Sequence, residues 1–391
     1  MTEQLYYQNV YLRECTAMVR TCYKEKDRYA AVLDRTVFYP EGGGQPYDTG
    51  TLGDAKVLEV HKKDGEIVHY LDRPLEEGKE VTAEINWERR FDLMQQHSGE
   101  HMVSGIVHEK YGYDNVGFHM GSDVITIDFN GILTEEQLGE VENLVNQKVW
   151  ENRNVEITYP SEEELRTLPY RSKKELTGEI RIVNIPETDL CACCGLHVTH
   201  TGEVGMVKLL SVQKFRQGVR VEMICGNRVL SYLNEINTQN KEISVLLSAH
   251  PAKTAAAVKR LWEENFQNKG KVISLEERVF QNEAESLKGA GNTLIWEEGL
   301  ESDSVRKLTD AVMHTCQGLC AVFSGQEDGS FKYAVGEEGG DLRVFIKEMN
   351  QALQGKGGGK PFFAQGFVQA SKEEIEEFFR KLSPTVCGSK K

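Results

Sequence analysis

Two groups of residues in the sequence are suited to binding a metal ion. His97 and His101 lie four positions apart in a predicted helix, so their imidazole rings project from one face, about one turn apart. Residues 191–197 read Cys-Ala-Cys-Cys-Gly-Leu-His, and His200 follows them. Thiolate sulfur and imidazole nitrogen are the ligands that zinc prefers. The helix histidines, with one cysteine and one histidine from this segment, would complete a tetrahedral shell.

The cysteine-rich segment also admits other interpretations. A His-x-x-x-His pair is a weak signal on its own, because a chain with 10 histidines contains such pairs by chance. A structural site with only cysteine ligands normally uses two Cys-x-x-Cys knuckles, and the only other cysteine near this segment is Cys225. The chain has no Cys-x-x-Cys motif near a thioredoxin-like βαβ unit, which disfavours a redox disulfide. The joint pattern therefore favours a zinc site.

The histidine pair lies where the hydrophobic pattern changes from alternation to a helical repeat. Beginning at Trp87, apolar residues recur at helical spacing and predict an amphipathic helix over residues 88–110. Thr134 precedes a second amphipathic segment with acidic residues in its first turn, which is typical of a helix start. Strands are predicted at residues 124–129, 155–159, 204–212 and 219–225. This mixture indicates an α+β domain over residues 88–226.

The rest of the chain divides into three further regions. Residues 1–87 contain short β-branched and aromatic runs broken by turns, which predict a small β-barrel or sandwich. Residues 227–290 form a helical linker with a break at Pro251, and a coiled-coil dimer arm is the alternative interpretation of its irregular apolar stripe. Helices and strands alternate over residues 291–391 and predict a separate α/β domain.

The overall charge of the chain conceals a local excess of basic residues. The 391 residues carry 46 Lys and Arg against 61 Asp and Glu, and the net charge of −15 argues mildly against a nucleic-acid partner. Residues 171–228 nevertheless contain more basic than acidic side chains. This stretch could follow a phosphate backbone, together with Arg89 and Arg90; its basic residues are Arg171, Lys173, Lys174, Arg181, Lys208, Lys214, Arg216, Arg220 and Arg228.

Composition also bears on the compartment of the protein. No run approaches the length of about 18 apolar residues that a membrane span needs. The polar N-terminus has neither a secretory hydrophobic region nor an Arg-rich transit pattern. Nine cysteines, an odd number, favour a reducing environment. We therefore expect a cytoplasmic protein with no membrane partner.

Further motifs support a resemblance to a known family. Residues 38–50 read Phe-Tyr-Pro-Glu-Gly-Gly-Gly-Gln-Pro-Tyr-Asp-Thr-Gly, residues 201–205 read Thr-Gly-Glu-Val-Gly, and residues 357–366 read Gly-Gly-Gly-Lys-Pro-Phe-Phe-Ala-Gln-Gly. With the histidine pair and the cysteine segment, these motifs resemble the editing and C-terminal DHHA1 domains of alanyl-tRNA synthetase. Their order resembles that of the long form of the AlaX-type alanyl-tRNA editing proteins. The resemblance implies an N-terminal β-barrel, an α+β zinc editing domain, a helical linker and a DHHA1-like α/β domain.

The resemblance also implies a set of site residues. It places one zinc ion per chain on ligands that are also the catalytic residues: His97, His101, Cys193 and His197. Cys193 is the implied ligand because the motif has its cysteine four positions before the histidine, although Cys194 and Leu196 depart from the family's usual Cys-Gly-Gly-Thr-His. The implied substrate-binding residues are Gly42, Gly43, Gly44, Gln45, His119, Ser122 and Lys360. Residues 42–50 could instead be only a hairpin turn, and residues 357–366 only a mobile loop.

The activity that the resemblance implies is hydrolysis of mischarged aminoacyl-tRNA. The substrate would be tRNA(Ala) carrying serine, or glycine, and the protein would act in trans as a homodimer formed through its C-terminal half. We find no class II aminoacylation motif and no Asp-His-His phosphoesterase motif, so neither activity is expected. Two alternatives stay open: a zinc hydrolase of a small ester or amide, and a non-catalytic RNA-binding protein with structural zinc.

Overall fold

Residues 1–172, 178–326 and 329–388 are described by a computed structural model, in which the chain divides into two units, residues 1–242 and 243–391. The division falls inside the predicted helical linker, residues 227–290. Lys173 and Lys174 of the predicted basic stretch lie outside the described residues. None of the helices in the described ranges combines the length and apolarity that crossing a bilayer requires.

The first unit begins with short strands and one helical turn: β1 (Glu3–Gln4), α1 (Leu5–Gln8), β2 (Glu14–Glu25), β3 (Arg28–Leu33), β4 (Arg35–Thr36), β5 (Gly50–Leu52), β6 (Ala55–Lys63), β7 (Glu66–Leu71) and β8 (Glu80–Ile85). Strands β2, β3, β7, β6, β5 and β8 pair antiparallel in that order, and β8 pairs with β2, so the sheet closes into a barrel. Apolar side chains such as Val19, Leu33 and Val57 fill its core. The sequence-based expectation of a barrel agrees with this topology.

The α+β part of the first unit follows the barrel: α2 (Trp87–Tyr111), β9 (Asn115–Met120), β10 (Ile125–Phe129), α3 (Glu135–Trp150), β11 (Glu156–Thr158), α4 (Glu162–Leu165), β12 (Ile182–Ile185), β13 (Asp189–Ala192), β14 (Val207–Phe215) and β15 (Gly218–Cys225). One antiparallel sheet has the order β14-β15-β10-β9, and a smaller one has the order β11-β12-β13. Helices α2 and α3 pack with the larger sheet in a shared apolar core. The core therefore holds α2 between the sheet and the segment that carries the cysteines.

Helix α2 begins and ends at residues suited to its termini. The side chain of Asn86 accepts a hydrogen bond from the backbone N–H of Arg89, and Gly112 ends the helix in the left-handed region with φ of 69°. The sequence predicts an amphipathic helix here, but every residue from Leu93 to Val107 is buried. The helix prediction is confirmed, but the expected solvent-facing side is absent over residues 93–107, because the polar side chains there are buried within the protein.

The remaining elements are α5 (Asn227–Leu246), which crosses the division between the units, and those of the second unit: α6 (Thr254–Ser286), β16 (Thr293–Glu298), α7 (Ser302–Met313), β17 (Leu319–Gly325), β18 (Phe331–Glu337), α8 (Arg343–Ala352), β19 (Lys356–Lys360), β20 (Phe363–Val368), α9 (Lys372–Arg380) and β21 (Thr385–Gly388). The sheet of the second unit has the order β19-β20-β18-β17-β16-β21. Residues of α7 and the end of α6 share one core with this sheet, and residues of α8 and α9 share another. The second unit is thus an α/β sandwich of helices around one sheet.

The glycine-rich segment of the second unit is a strand, and not the mobile loop that the sequence left open. Strand β19 pairs antiparallel with β20 at the edge of the sheet. A Cβ atom at Gly357 would lie 2.3 Å from the hydroxyl of Tyr333 and 2.4 Å from the carbonyl oxygen of Gln365. Glycine is required because the edge strand approaches its neighbour more closely than a side chain allows.

A buried ion pair joins the glycine-rich loop of the barrel to helix α2. Arg90 and Asp48 are both fully buried, and the guanidinium Nε lies 3.0 Å from each carboxylate oxygen. Arg90 also donates to the carbonyl oxygens of Val37 and Val10, and Asp48 accepts from the backbone N–H of Tyr39. This burial removes Arg90 from the predicted RNA-binding set, since its charge is neutralised inside the protein.

We predict that Asp48→Ala strongly destabilises the first unit. Removing one partner of a buried pair leaves the Arg90 charge uncompensated, which typically costs about 3–5 kcal/mol. Urea denaturation followed by tryptophan fluorescence should show a clear fall in the midpoint, because Trp87 opens the same helix. Glu76→Ala, which removes an exposed pair with Lys79, is the control and should leave the midpoint almost unchanged. Equal midpoints for the two variants would contradict the role of the buried pair.

Candidate metal centre

Four side chains from two segments of the chain converge at one buried point. His97 and His101 lie on α2, and Cys193 and His197 lie on the loop that follows β13. One ligand atom from each of these residues lies within 4.8 Å of the others. The ring centroids of His97 and His197 are 4.5 Å apart, and those of His101 and His197 are 4.6 Å apart. The structure thus brings together the complete predicted ligand set.

Each imidazole of the cluster has an oxygen partner at Nδ1. His97 lies 3.0 Å from Gln45 Oε1, His101 lies 2.8 Å from Asp189 Oδ2, and His197 lies 3.2 Å from Ser98 Oγ. A partner at Nδ1 leaves Nε2 available for a metal ion. The Nε2 atom of His197 is buried and has no hydrogen-bond partner among the described residues. The rings are therefore oriented for metal binding.

The cluster holds a thiolate that suits a cation, and the proton that His101 carries without a metal ion would leave when one binds. Burial alone would raise the pKa of the Cys193 thiol, yet His97 and His101 hold it well below its usual range. Burial opposes charge on His101, but the Cys193 thiolate and the Asp189 carboxylate raise its pKa well above the usual value. Burial lowers the pKa of His197 to about 3, so this ring is neutral. A thiolate with three imidazoles is a donor set that fits zinc.

The two other cysteines of the segment do not share this position. Cys191 is buried, and burial raises its pKa to about 11, so its thiol stays protonated. It does lie in a second group with His101 and Asp189, whose ligand atoms are also within 4.8 Å of one another. Cys194 is exposed and belongs to neither group. The geometry therefore favours Cys193 as the thiolate ligand.

The sequence-based reasoning missed the carboxylate beside the cluster and the roles of two arginines there. Asp189 is buried, and its second oxygen accepts a hydrogen bond of 2.7 Å from Arg171 Nε. Arg181 Nη1 donates to the carbonyl oxygens of Cys193 and Gly195, at 2.8 and 2.9 Å. Both arginines belong to the predicted phosphate-binding stretch. In the structure, however, Arg171 donates to Asp189, and Arg181 donates to the backbone of the loop that carries Cys193 and His197. Sequence spacing carries no signal for these roles, because they arise from a long-range fold.

A cavity of about 530 Å³ opens beside the cluster. Its walls come from the glycine-rich loop, helix α2, strand β9 and the segment around the cysteines. The residues that line it are Gly43, Gly44, His97, His101, Phe118, Ser172, Glu179, Ile180, Arg181, Cys191, Ala192, Cys193 and Cys194. A small group that enters this cavity meets three of the four clustered side chains.

The glycine-rich loop lies at the cavity because bare backbone fits there. Gly43 and Gly44 have φ of 60° and 82°, and a Cβ atom on Gly44 would lie 2.8 Å from the ring of Phe118. Gly42 and Gln45 exchange backbone hydrogen bonds, which closes a tight turn. Of the four predicted substrate-binding residues in this loop, only Gly43 and Gly44 line the cavity, whereas the side chain of Gln45 faces His97.

The other predicted substrate-binding residues lie elsewhere. His119 and Ser122 are exposed and are not among the residues that line the cavity, and the neighbouring Phe118 lines it instead. Successive side chains of a strand point to opposite faces, so a shift of one position changes the residue that reaches the site. Lys360 ends β19 in the second unit and is exposed. The structure therefore supports no contact of His119 or Ser122 with this cavity.

Comparison with known proteins agrees with this architecture. Three family models match the chain: tRNA synthetases class II (A) at residues 2–89, the threonyl and alanyl tRNA synthetase second additional domain at residues 180–221, and the DHHA1 domain at residues 288–386. The second match contains Cys193 and His197. These two residues of the cluster therefore lie in a segment that matches the threonyl and alanyl tRNA synthetase second additional domain, whereas His97 and His101 lie outside the matched residues.

Comparison with individual relatives identifies a narrower family for this chain. The chain is 32% identical to alanyl-tRNA editing protein AlaX-L of Pyrococcus horikoshii, over 96% of each chain. It is 29% identical to alanyl-tRNA editing protein Aarsd1-A of Xenopus laevis, over 92% of this chain and 89% of the relative. An alanine–tRNA ligase of Ignicoccus hospitalis is 31% identical over 98% of this chain and 43% of the ligase. The chain belongs to the family of alanyl-tRNA editing proteins.

We predict that zinc binding distinguishes the two neighbouring cysteines. Cys193→Ala removes a ligand and should weaken zinc binding by more than about 100-fold, which exceeds the usual effect of losing a partner outside the ligand shell. Cys194→Ala removes an exposed thiol of similar size and should retain one zinc ion per chain. Elemental analysis and competition with a coloured chelator measure both quantities. Zinc loss in Cys194→Ala together with retention in Cys193→Ala would overturn the ligand assignment.

Proposed function

We propose that the protein is a zinc-dependent hydrolase that removes serine, and also glycine, from mischarged tRNA(Ala), acting in trans. The observation that carries the proposal is the cluster of His97, His101, Cys193 and His197, which lies beside a cavity that Gly43 and Gly44 help to line. The relatives named as alanyl-tRNA editing proteins support it, because they align with nearly the whole chain.

The residues around the cavity have different roles in the proposed hydrolysis. Zinc held by the cluster would lower the pKa of a bound water and stabilise negative charge on the ester oxygen. Arg181 holds the backbone on both sides of Cys194, and so shapes the wall beside the reacting group. Gly43 and Gly44 let the terminal nucleotide of the tRNA approach the cluster without a clash. The protein thus positions the reacting groups against each other.

Glu100 is not the general base in this proposal. Its carboxylate is buried and accepts hydrogen bonds from the hydroxyl of Ser104 and the side-chain amide of Asn115. It is absent from the residues that line the cavity. A base must lie within hydrogen-bond reach of the proton that it removes, or within reach through one water molecule. The position of Glu100 between two ligand histidines therefore reflects the core of α2.

Contacts with the tRNA backbone are assigned to the exposed basic residues. Arg171, Lys208, Arg220 and Arg228 form ion pairs with acidic side chains of the protein, which removes them from the phosphate track that the sequence suggests. Lys214 and Arg216 are exposed at the hairpin between β14 and β15. Lys360 ends the exposed glycine strand β19, whose backbone is open to solvent. We assign phosphate binding to these three side chains.

The same proposal places the protein in the reducing cytoplasm. All nine cysteines are free thiols, as expected there.

The proposal also makes the protein a homodimer through its C-terminal half. Helix α6 exposes large apolar side chains at helical spacing, and Trp262 and Phe266 stack on each other at its surface. An apolar stripe of this size on a soluble helix marks an interaction surface, and a second copy of α6 is the partner that suits it. Its members are Val258, Leu261, Trp262, Phe266, Val272, Ile273, Leu275 and Val279.

We predict that the purified protein releases serine from Ser-tRNA(Ala) and that His97→Ala lowers the rate by at least about 100-fold, since a metal ion contributes several kcal/mol of charge stabilisation. His200→Ala, which changes a half-exposed histidine of the same segment, should stay within about twofold of the unchanged protein. Release of amino acid from Ser-, Gly- and Ala-tRNA(Ala) is followed with radiolabelled amino acids. A small-ester hydrolase or a binding protein with structural zinc would deacylate none of these substrates.

We also predict that Trp262→Asp with Phe266→Asp converts a dimer into a monomer at micromolar concentration. Charge in the centre of an apolar interface leaves carboxylates buried and unpaired, which opposes association. Val344→Asp, at an exposed apolar residue of α8, is the matched control and should leave the dimer intact. Sedimentation velocity gives the mass of each variant. A monomeric mass for the unchanged protein would refute the dimer.

A further inference from the structure

The glycine-rich loop delivers one fully buried side chain to the metal centre. Gln45 comes from the barrel part of the chain, yet its Oε1 atom lies 3.0 Å from His97 Nδ1 and 2.8 Å from the backbone nitrogen of Leu196. Leu196 directly precedes the ligand His197. One amide oxygen thus contacts a ligand ring on α2 and the backbone of the ligand loop at once.

The contact with Leu196 identifies the tautomer of His97. A backbone N–H can only donate, so the amide atom that faces it must be the carbonyl oxygen of Gln45. The same oxygen faces Nδ1 of His97, and an oxygen acceptor there requires Nδ1 to carry the hydrogen. The Nε2 atom of a neutral His97 is then left with its lone pair, and it lies 3.5 Å from Cys193 Sγ. The backbone of the ligand loop therefore specifies, through Gln45, which nitrogen is available to a metal ion.

The surroundings leave Gln45 little freedom to adopt another position. The turn that carries it is closed by backbone hydrogen bonds of 3.1 and 3.0 Å between Gly42 and Gln45. A Cβ atom at Gly195 would lie 2.0 Å from Cε1 of His97 and 3.2 Å from Oε1 of Gln45, so the ligand loop packs against both groups with no room for a side chain. This close packing keeps the amide oxygen between the ring and the loop.

We propose that Gln45 is a positioning residue for His97, and that the glycine-rich loop tunes the metal centre in addition to lining the cavity. This inference rests on the metal centre of the proposed function. It replaces the sequence-based assignment of Gln45 as a substrate-binding residue. The amide plays the part for His97 that the carboxylate of Asp189 plays for His101, but without a charge.

The amide nitrogen of Gln45 provides a way to separate this role from a general structural one. Its Nε2 atom is buried and has no hydrogen-bond partner among the described residues. Gln45→Glu therefore keeps an oxygen that can accept both hydrogen bonds. It breaks no other hydrogen bond, because the amide nitrogen makes none with the described residues. Gln45→Met has a similar shape, but it offers no oxygen to the ring or to the loop.

The test compares the zinc affinity of the full-length variants by competition with a coloured chelator, in the absence of tRNA. We expect Gln45→Met to bind zinc about 10- to 100-fold more weakly, and Gln45→Glu to bind it at least as tightly as the unchanged protein, because a carboxylate makes the His97 ring more basic. Cobalt(II) in place of zinc should show an altered visible spectrum in Gln45→Met alone, because the ligand ring is no longer fixed.

Gln96→Met is the matched control. Gln96 is also a fully buried amide, but it bonds to the backbone of Cys225 and to Asp92, and not to a ligand. Its loss should lower thermal stability and leave the zinc affinity within about threefold. Unchanged affinity in Gln45→Met, equal losses in Gln45→Met and Gln45→Glu, or an equal loss in Gln96→Met would each overturn the proposal. Because the zinc affinity is measured without tRNA, it tests the role of Gln45 even if the protein fails to deacylate tRNA.

Discussion

The buried pair of Arg90 and Asp48 is the constraint on which the metal centre depends. Arg90 lies on α2, two turns before His97, and Asp48 lies three residues after Gln45 in the glycine-rich loop. Because both charges are fully buried and neutralise each other, the loop cannot move away from the helix without exposing a charge to an apolar core. The distance between Gln45 and His97 is thereby held by an interaction outside the site.

The three imidazoles of the centre receive partners of different chemistry. His101 faces a carboxylate that is itself paired with Arg171, His97 faces an amide, and His197 faces a hydroxyl. A carboxylate makes a ligand ring more basic than an amide or a hydroxyl does. The three ligand rings therefore differ in basicity. The two partners that raise it less are Gln45, from the barrel, and Ser98, from α2. An ion bound there would be held most firmly on the side of His101.

Several basic side chains of the first unit form ion pairs within the protein. The basic stretch around the cysteines contains arginines that neutralise Asp189, Asp128 and Asp92 or hold backbone carbonyls of the ligand loop. The chain has a net charge of −15, and three arginines of its locally basic segment, Arg171, Arg220 and Arg228, are paired with carboxylates. Affinity for an RNA would then rest on a few exposed lysines and arginines, and on exposed backbone.

The sequence by itself determined the ligand types and their spacing, the order of the domains and the helices with clear periodicity, because these depend on local patterns. His97 and His101 are neighbours on any helix, and the resemblance to the editing family implied Cys193 and His197, which the structure places beside them. Tertiary structure alone decided that the middle of α2, residues 93–107, is buried on all sides, that Phe118 and not His119 reaches the cavity, and that Gln45 faces the ring of His97. These features depend on contacts between residues far apart in the chain, for which local spacing carries no information.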